Sequence, residues 1–176
     1  IFHPYQKRIN HNIDIKIYDH RINKFVSLDR KEYVKYLGVI IDSHLSWKFH
    51  VDYVAMKISR NIGIISKLRH IVPLKTLYNI YNSLILPYLS YGLIIWGQAA
   101  KTHLEKLLML QKRAVRLIHF APFRSHAIPY FINSNIVPIT LLYFKLSATL
   151  MHDIFNDSAP PNISDLFTLT KNVHHY

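Results

Sequence analysis

The sequence predicts an α+β fold that is mostly α: a small N-terminal antiparallel β-hairpin or meander, then a helical bundle. Three observations predict it. Apolar residues alternate over roughly the first 42 residues, and they recur at helical spacing after Trp47. They also make up 50% of the 176 residues, enough to bury a core.

In "NIDIKIYDH", Ile13, Ile15 and Ile17 point one way and Asp14, Lys16 and Tyr18 the other, the pattern of a half-buried strand. "DHRIN" is a polar turn and "KFVSL" a short second strand. "YVKYLGVII" reads as the third. It is apolar on both faces after Tyr36, so cover on both sides is expected. Gly38 interrupts it, as a bulge or tight strand–helix packing contact, or as a place where the backbone can come close to a nucleic-acid strand.

Everything afterwards reads as helix. Ser46 is placed to cap a segment starting at Trp47. Val51, Val54, Ala55, Ile58, Ile62, Ile65 and Leu68 form one stripe, with Lys57, Arg60 and Lys67 opposite. Pro73 breaks the chain. The run from Thr76 to Ala100 carries no charge, but polar residues, Pro87 and Gly92 interrupt it. Its continuous apolar part falls short of the roughly 20 residues a membrane span needs. A buried helix kinked or restarted at Pro87 is expected, with Tyr78, Tyr81, Tyr88 and Tyr91 aiming their hydroxyls at the rim.

A third helix spans about His103 to Phe120, with Leu104, Leu107, Leu108, Ala114, Val115 and Ile118 inward and Lys106, Lys112, Arg113 and Arg116 on the other face. Pro122, Pro129 and Pro138 punctuate "SHAIPYFINSNI". A fourth helix covers roughly Thr140 to Phe155, and "NDSAPPNIS" reads as a loop. The expected divisions are 1–44 for the hairpin, 45–121 for the main helices and 122–176 for a C-terminal helical extension and tail. The abrupt start at "IFHPYQKR" and stop at "KNVHHY" are those expected of a piece of a longer chain.

Lys and Arg number 22 against 10 Asp and Glu, a net charge of +12. Such an excess attracts polyanions, nucleic acid first and an anionic membrane surface second. The absence of cysteine excludes disulfides, thiol chemistry and Cys-type zinc sites, and fits an intracellular location, in cytoplasm or nucleus. The acids are scattered, with none adjacent or spaced i, i+2. Two-metal phosphoryl transfer needs clustered carboxylates, so Asp42 is expected to shape a turn or helix entry. The 12 histidines include no H-E-x-x-H, and His50 is expected to be buried and satisfied. No G-x-S-x-G elbow or phosphate-cradling glycine loop is present. By its own residues the segment has no catalytic or metal site and no cofactor. Two basic helix faces remain, either solvated or touching phosphates without sequence preference.

"VKYLGVIIDSHLSWKFHV", "LYNIYNSLILPYLSYGLIIWG" and "LEKLLMLQKRAVRLI", in that order, resemble the downstream part of non-LTR (LINE-type) retrotransposon reverse transcriptases, the jockey-like group above all. "NSNIVPITLLYFKLSATLMHDIFN" and "LFTLTKNVHHY" extend the resemblance over most of the chain. In that family the catalytic aspartates lie upstream, in a Tyr/Phe-x-Asp-Asp turn of the palm, so the parent polymerase would need Mg2+ there. The resemblance implies that Tyr36, Leu37 and Gly38, beside Lys35, match the primer grip. It implies that the following helices form a thumb, with Lys57, Arg60, Lys67, Lys106, Lys112, Arg113 and Arg116 facing an RNA–DNA hybrid. The remaining partners would be palm and fingers, with no membrane span. The alternatives are a stand-alone or domesticated nucleic-acid-binding module and a helical protein-interaction element.

Overall fold

The computed structural model describes Phe2 and residues 14–168. Two separate antiparallel hairpins precede the helices. In the first, β1 (Lys16–Asp19) pairs with β2 (Lys24–Ser27), Ile17 opposite Val26. In the second, β3 (Tyr33–Tyr36) pairs with β4 (Val39–Asp42), Tyr36 opposite Val39. The single strand expected over "YVKYLGVII" is therefore two. The reason is local: Leu37 (φ 45°) and Gly38 (φ 84°) both have positive φ, the signature of a type I′ turn whose twist matches that of its strands.

Of the cover expected on both faces of this segment, only β4 has a part. Val39 and Asp42 are buried, whereas every residue of β3 is exposed. Helix α1 (Lys48–Leu68) packs on β4. Among the described residues no helix packs extensively on the first hairpin, so Ile15 and Ile17 are exposed rather than half-buried, while Ile13 lies outside the described residues.

Leucine at φ 45° is strained, and its side chain is 73% exposed, so packing does not repay the cost. Leu37→Asn, which suits this turn position, is expected to stabilise the chain by up to about 1 kcal/mol. A lowered urea midpoint would refute this reading of the turn.

Asp42 builds the junction between β4 and α1. Its Oδ1 accepts the His44 and Ser46 backbone N–H groups, both at 3.0 Å. Its Oδ2 accepts Trp47 N–H at 2.9 Å and the Ser46 hydroxyl at 3.2 Å. The expected role in helix entry is thus met by Asp42 itself. Ser46 stands one residue ahead of the N-cap, Trp47, and only its long 3.4 Å contact with Lys48 N–H resembles a cap. Burial alone would raise the Asp42 pKa; the backbone and hydroxyl bonds outweigh that and lower it.

The apolar run divides into α2 (Leu74–Leu84), α3 (Leu86–Ser90) and α4 (Leu93–Trp96), restarting at Pro87 in the first turn of α3. No helix among the described residues is long and apolar enough to cross a membrane. Then follow α5 (Lys101–Ile118), α6 (Ile128–Asn133) and α7 (Ile139–Phe155). A single proline-led turn, α8 (Pro161–Ser164), occupies part of the stretch expected to be loop.

The core lies where α1 meets α5 and α2–α4 close the end. Ile58, Ile62 and Ile65 meet Leu77, Leu89, Leu93, Trp96, Leu107 and Ile118, all essentially inaccessible. Each such side chain contributes about 1.5–3 kcal/mol of burial free energy. Gly97 lets Tyr143 of α7 approach α4, because a Cβ there would collide with its ring. Tyr81 departs from the expected rim placement: its hydroxyl is buried and accepts a 2.8 Å bond from Gln111 Nε2.

Candidate nucleic-acid interface

Five of the basic residues singled out in the sequence fall into two clusters, and Arg60, Lys67 and Lys112 lie outside both. The first lies between α1 and α5, in a groove of about 680 Å³. Lys106, Arg113 and Arg116 line it from α5, with Asp52, Met56 and Ser59 from α1 and Phe123 beyond the end of α5. A second hollow of about 290 Å³ shares Arg113, Arg116 and Phe123 and extends to Arg69.

Two of these guanidinium groups are held in place. Arg116 Nε donates to the Ser125 carbonyl at 2.8 Å. Arg69 stacks over Phe120, 4.8 Å from the ring centroid, and its Nε donates to His70 Nε2 at 3.1 Å. Lys106 is neutralised in part by Asp52 at 2.5 Å. Among the described residues no carboxylate pairs with Arg69, Arg113 or Arg116. The result is three arginines of unopposed charge around an apolar floor.

Lys112 does not line this groove, and neither do the exposed Arg60 and Lys67. Lys57 belongs to the second cluster, at the hairpin. There Lys35 Nζ and Lys57 Nζ lie 5.2 and 5.5 Å from the centroid of the Tyr53 ring. Lys35 and Tyr53 join Gly38, His50, Val54, Pro87, Tyr88 and Tyr91 around a cavity of about 290 Å³. Tyr36 and Leu37 stand outside it, exposed. The Tyr91 hydroxyl donates to the Leu37 carbonyl at 2.6 Å, and the Tyr91 ring lies 3.3 Å from where a Gly38 Cβ would be.

His50 is buried as expected but only half satisfied. Its Nδ1 accepts Ile40 N–H at 3.3 Å, while Nε2 has no partner among the described residues. Its ring meets Trp96 edge-on at 5.2 Å. Burial pushes its pKa down to about 4, so the ring is neutral at pH 7.

These residues do not fit a catalytic divalent ion. The Asp42 oxygens are engaged by the loop they organise, and no group of three His, Asp or Glu among the described residues could hold a metal.

The sequence is similar to those of known proteins. The RNA-directed DNA polymerase from mobile element jockey of Drosophila melanogaster is 36% identical over 92 residues, 51% of this chain and 10% of that protein. Its namesake from Drosophila funebris is 34% identical over 92 residues, again 51% and 10%. This chain is similar to the reverse transcriptases of jockey-type mobile elements. The matched stretch spans about a tenth of those curated relatives. No protein-family model and no solved structure matches the chain.

Two of the jockey-like motifs each contribute residues to one of these clusters. "YLG" is the β3–β4 turn, and "LEKLLMLQKRAVRLI" is the helix that supplies Lys106, Arg113 and Arg116 to the groove. Arg69, Tyr53 and Phe123 carry no signal in the sequence that marks them for the interface. Arg69 follows the last turn of α1, where a cation complements the helix dipole, and that ordinary placement hides its stacking on Phe120.

Proposed function

We propose that this segment holds nucleic acid, an RNA–DNA hybrid by preference, for a reverse transcriptase whose catalytic aspartates and their Mg2+ belong to other parts of the parent protein. One observation carries the reading: Arg69, Arg113 and Arg116, unopposed by carboxylates, converge on the hollow that adjoins the α1–α5 groove, in a chain similar to jockey-type polymerases. Guanidinium groups bind phosphate oxygens with two parallel N–H bonds, and the holding of Arg69 and Arg116 lowers the entropic cost of engaging them. Such contacts position a duplex without reading its sequence.

The test is fluorescence anisotropy of labelled RNA–DNA hybrids with the 176-residue chain over a salt series. Replacing Arg113 and Arg116 by Glu is expected to weaken binding equally for unrelated sequences. It should also lower the slope of log affinity against log salt by about 2, one for each phosphate no longer neutralised. An unchanged slope would remove the groove from the interface.

The floor of the groove supports a second reading. Met56 and Met109 are exposed beside Phe123, which is 79% exposed. Exposed methionine and phenylalanine together suit the apolar face of a partner helix, in the rest of the polymerase or in another protein.

A further inference from the structure

We propose that the apolar groove between α1 and α5 docks an acidic amphipathic helix of a separate protein, and that this helix and nucleic acid exclude each other because both engage Arg113 and Arg116. The exclusion rests on the nucleic-acid reading, and the docking deepens the partner-helix reading of the same groove.

The floor is the feature that phosphate binding leaves without a role. Met56, Met109 and Phe123 are 44%, 59% and 79% exposed in one groove. A duplex presents a charged backbone, which suits arginine and has little to offer methionine. Exposed apolar side chains gathered together and rimmed by charge mark a protein contact instead. Methionine, aromatic and arginine side chains are also those enriched at such contacts. The walls are two packed helices, α5 contributing from Lys106 to Arg116. At 1.5 Å per residue that stretch is about 15 Å long, enough to seat about three turns of another helix. A helix meets such a groove with apolar residues at i, i+3, i+4 and i+7.

Charge names the partner. The rim carries Lys106, Arg113 and Arg116 against one carboxylate, Asp52, which is bonded to Lys106 at 2.5 Å. Both arginines are left for an outside acid. Glutamate or aspartate flanking the apolar seam of a docked helix complements them. A second copy of this chain does not, because two chains of +12 would bring arginine to arginine. Nor does the chain supply such a helix to itself: among the described residues no helix carries more than one acid.

The partner is separate rather than tethered. A segment of the same polypeptide would face the groove at an effective concentration of about millimolar. It would hold Arg113 and Arg116 against the phosphates and shut out the hybrid. The contact is also small, with three exposed apolar side chains at its centre, which suits a transient partner.

The probe is a synthetic helical peptide of about 15 residues, with leucine and phenylalanine at i, i+3, i+4 and i+7 and glutamate on both flanks. Anisotropy of the labelled peptide measures its binding to the full chain. A scrambled peptide of the same composition is expected to bind at least about tenfold more weakly, because its apolar residues no longer share a face. Met109→Gln, at an exposed helix position, should weaken the ordered peptide about fivefold and leave hybrid affinity within about twofold. The unlabelled ordered peptide should displace a labelled hybrid, and the scrambled one much less. Equal binding of ordered and scrambled peptides, or a peptide indifferent to Met109→Gln, reduces the contact to charge attraction and overturns the docking claim. Simultaneous binding of peptide and hybrid overturns the exclusion. Self-association of the free chain that Met109→Gln abolishes would give the groove to a second copy and overturn the proposal. A chain that binds the peptide but no hybrid at low salt defeats the nucleic-acid reading and keeps the docking claim.

Discussion

Replacing Gln111 by leucine is expected to cost this chain about 3 kcal/mol or more, a large share of the 5–15 kcal/mol that holds a domain folded. Gln111 is completely buried in α5. Its Nε2 donates to the Tyr81 hydroxyl at 2.8 Å and to the Val137 carbonyl at 3.2 Å, and its Oε1 accepts Ile139 N–H at 2.7 Å. Ile139 is the first residue of α7, so a side chain from a different helix caps that terminus, where Pro138 has no capping side chain to offer. Leucine fills nearly the same space but leaves the buried Ile139 N–H and Tyr81 hydroxyl and the part-buried Val137 carbonyl without partners, the buried groups costing about 1–3 kcal/mol each, offset in part by the apolar gain. Urea denaturation with an unchanged m-value measures the loss. Tyr81→Phe removes one of the stranded groups, so the double variant should be less destabilised than the sum of the two by about 1 kcal/mol. A Gln111→Leu protein within about 1 kcal/mol of the original would show that the network contributes little.

Gln111 also shows where the sequence can be read and where it cannot. The spacing Leu107, Gln111, Val115, Ile118 places it on the inward stripe of α5, and the helix itself follows from that period. Its polar identity hides its burial, because its partners lie on α2 and at the start of α7, and contacts between distant segments leave no local pattern. The same limit applies to the tyrosines: four similar residues in one apolar run have different fates, Tyr81 buried and Tyr91 57% exposed against the hairpin turn. The β3–β4 hairpin is hidden for a different reason. "YVKYLGVII" is mostly β-prone and, after Tyr36, apolar on both faces, and only Gly38 signals the reversal, since leucine is a poor marker of a left-handed turn position.

The candidate sites are legible to the same degree. Arg113, Arg116 and Lys106 share a face because three- and seven-residue spacings repeat on a helix. The same periodicity groups Lys57 with Arg60 and Lys67, yet Lys57 joins Lys35 of β3 around Tyr53. That pairing depends on how the hairpin folds back on α1, a tertiary fact. Charge excess announces a polyanion site, and packing divides the charges between a groove and a cavity.

Acid should loosen the hairpin end of the molecule before it affects the rest. The His50 ring lies between β4 and Trp96, with its Nδ1 committed to Ile40 N–H. Protonating Nδ1 would break that bond and place a charge in an apolar site that also faces Lys35. Burial holds its pKa at about 4 in the folded chain, against 6.5 for an ordinary histidine. Between these values the unfolded chain binds more protons than the folded one, so stability rises with pH across that window. The contribution is fully present above pH 6.5 and is lost as pH falls through about 4. A difference of about 2.5 units corresponds to about 3 kcal/mol. His119, whose pKa is lowered by burial against an opposing bond to the Tyr130 carbonyl, adds a change of the same sign. Asp42 acts in the same sense only at lower pH, because its lowered pKa lies beneath 3.8. His50→Gln keeps an acceptor for Ile40 N–H and cannot titrate. Urea midpoints should fall between about pH 7 and about pH 4.5 in the original chain, and much less in this variant. An identical fall in both would mean that the imidazole is solvated in the native state, and that the turn bearing Leu37 and Gly38 is held without it.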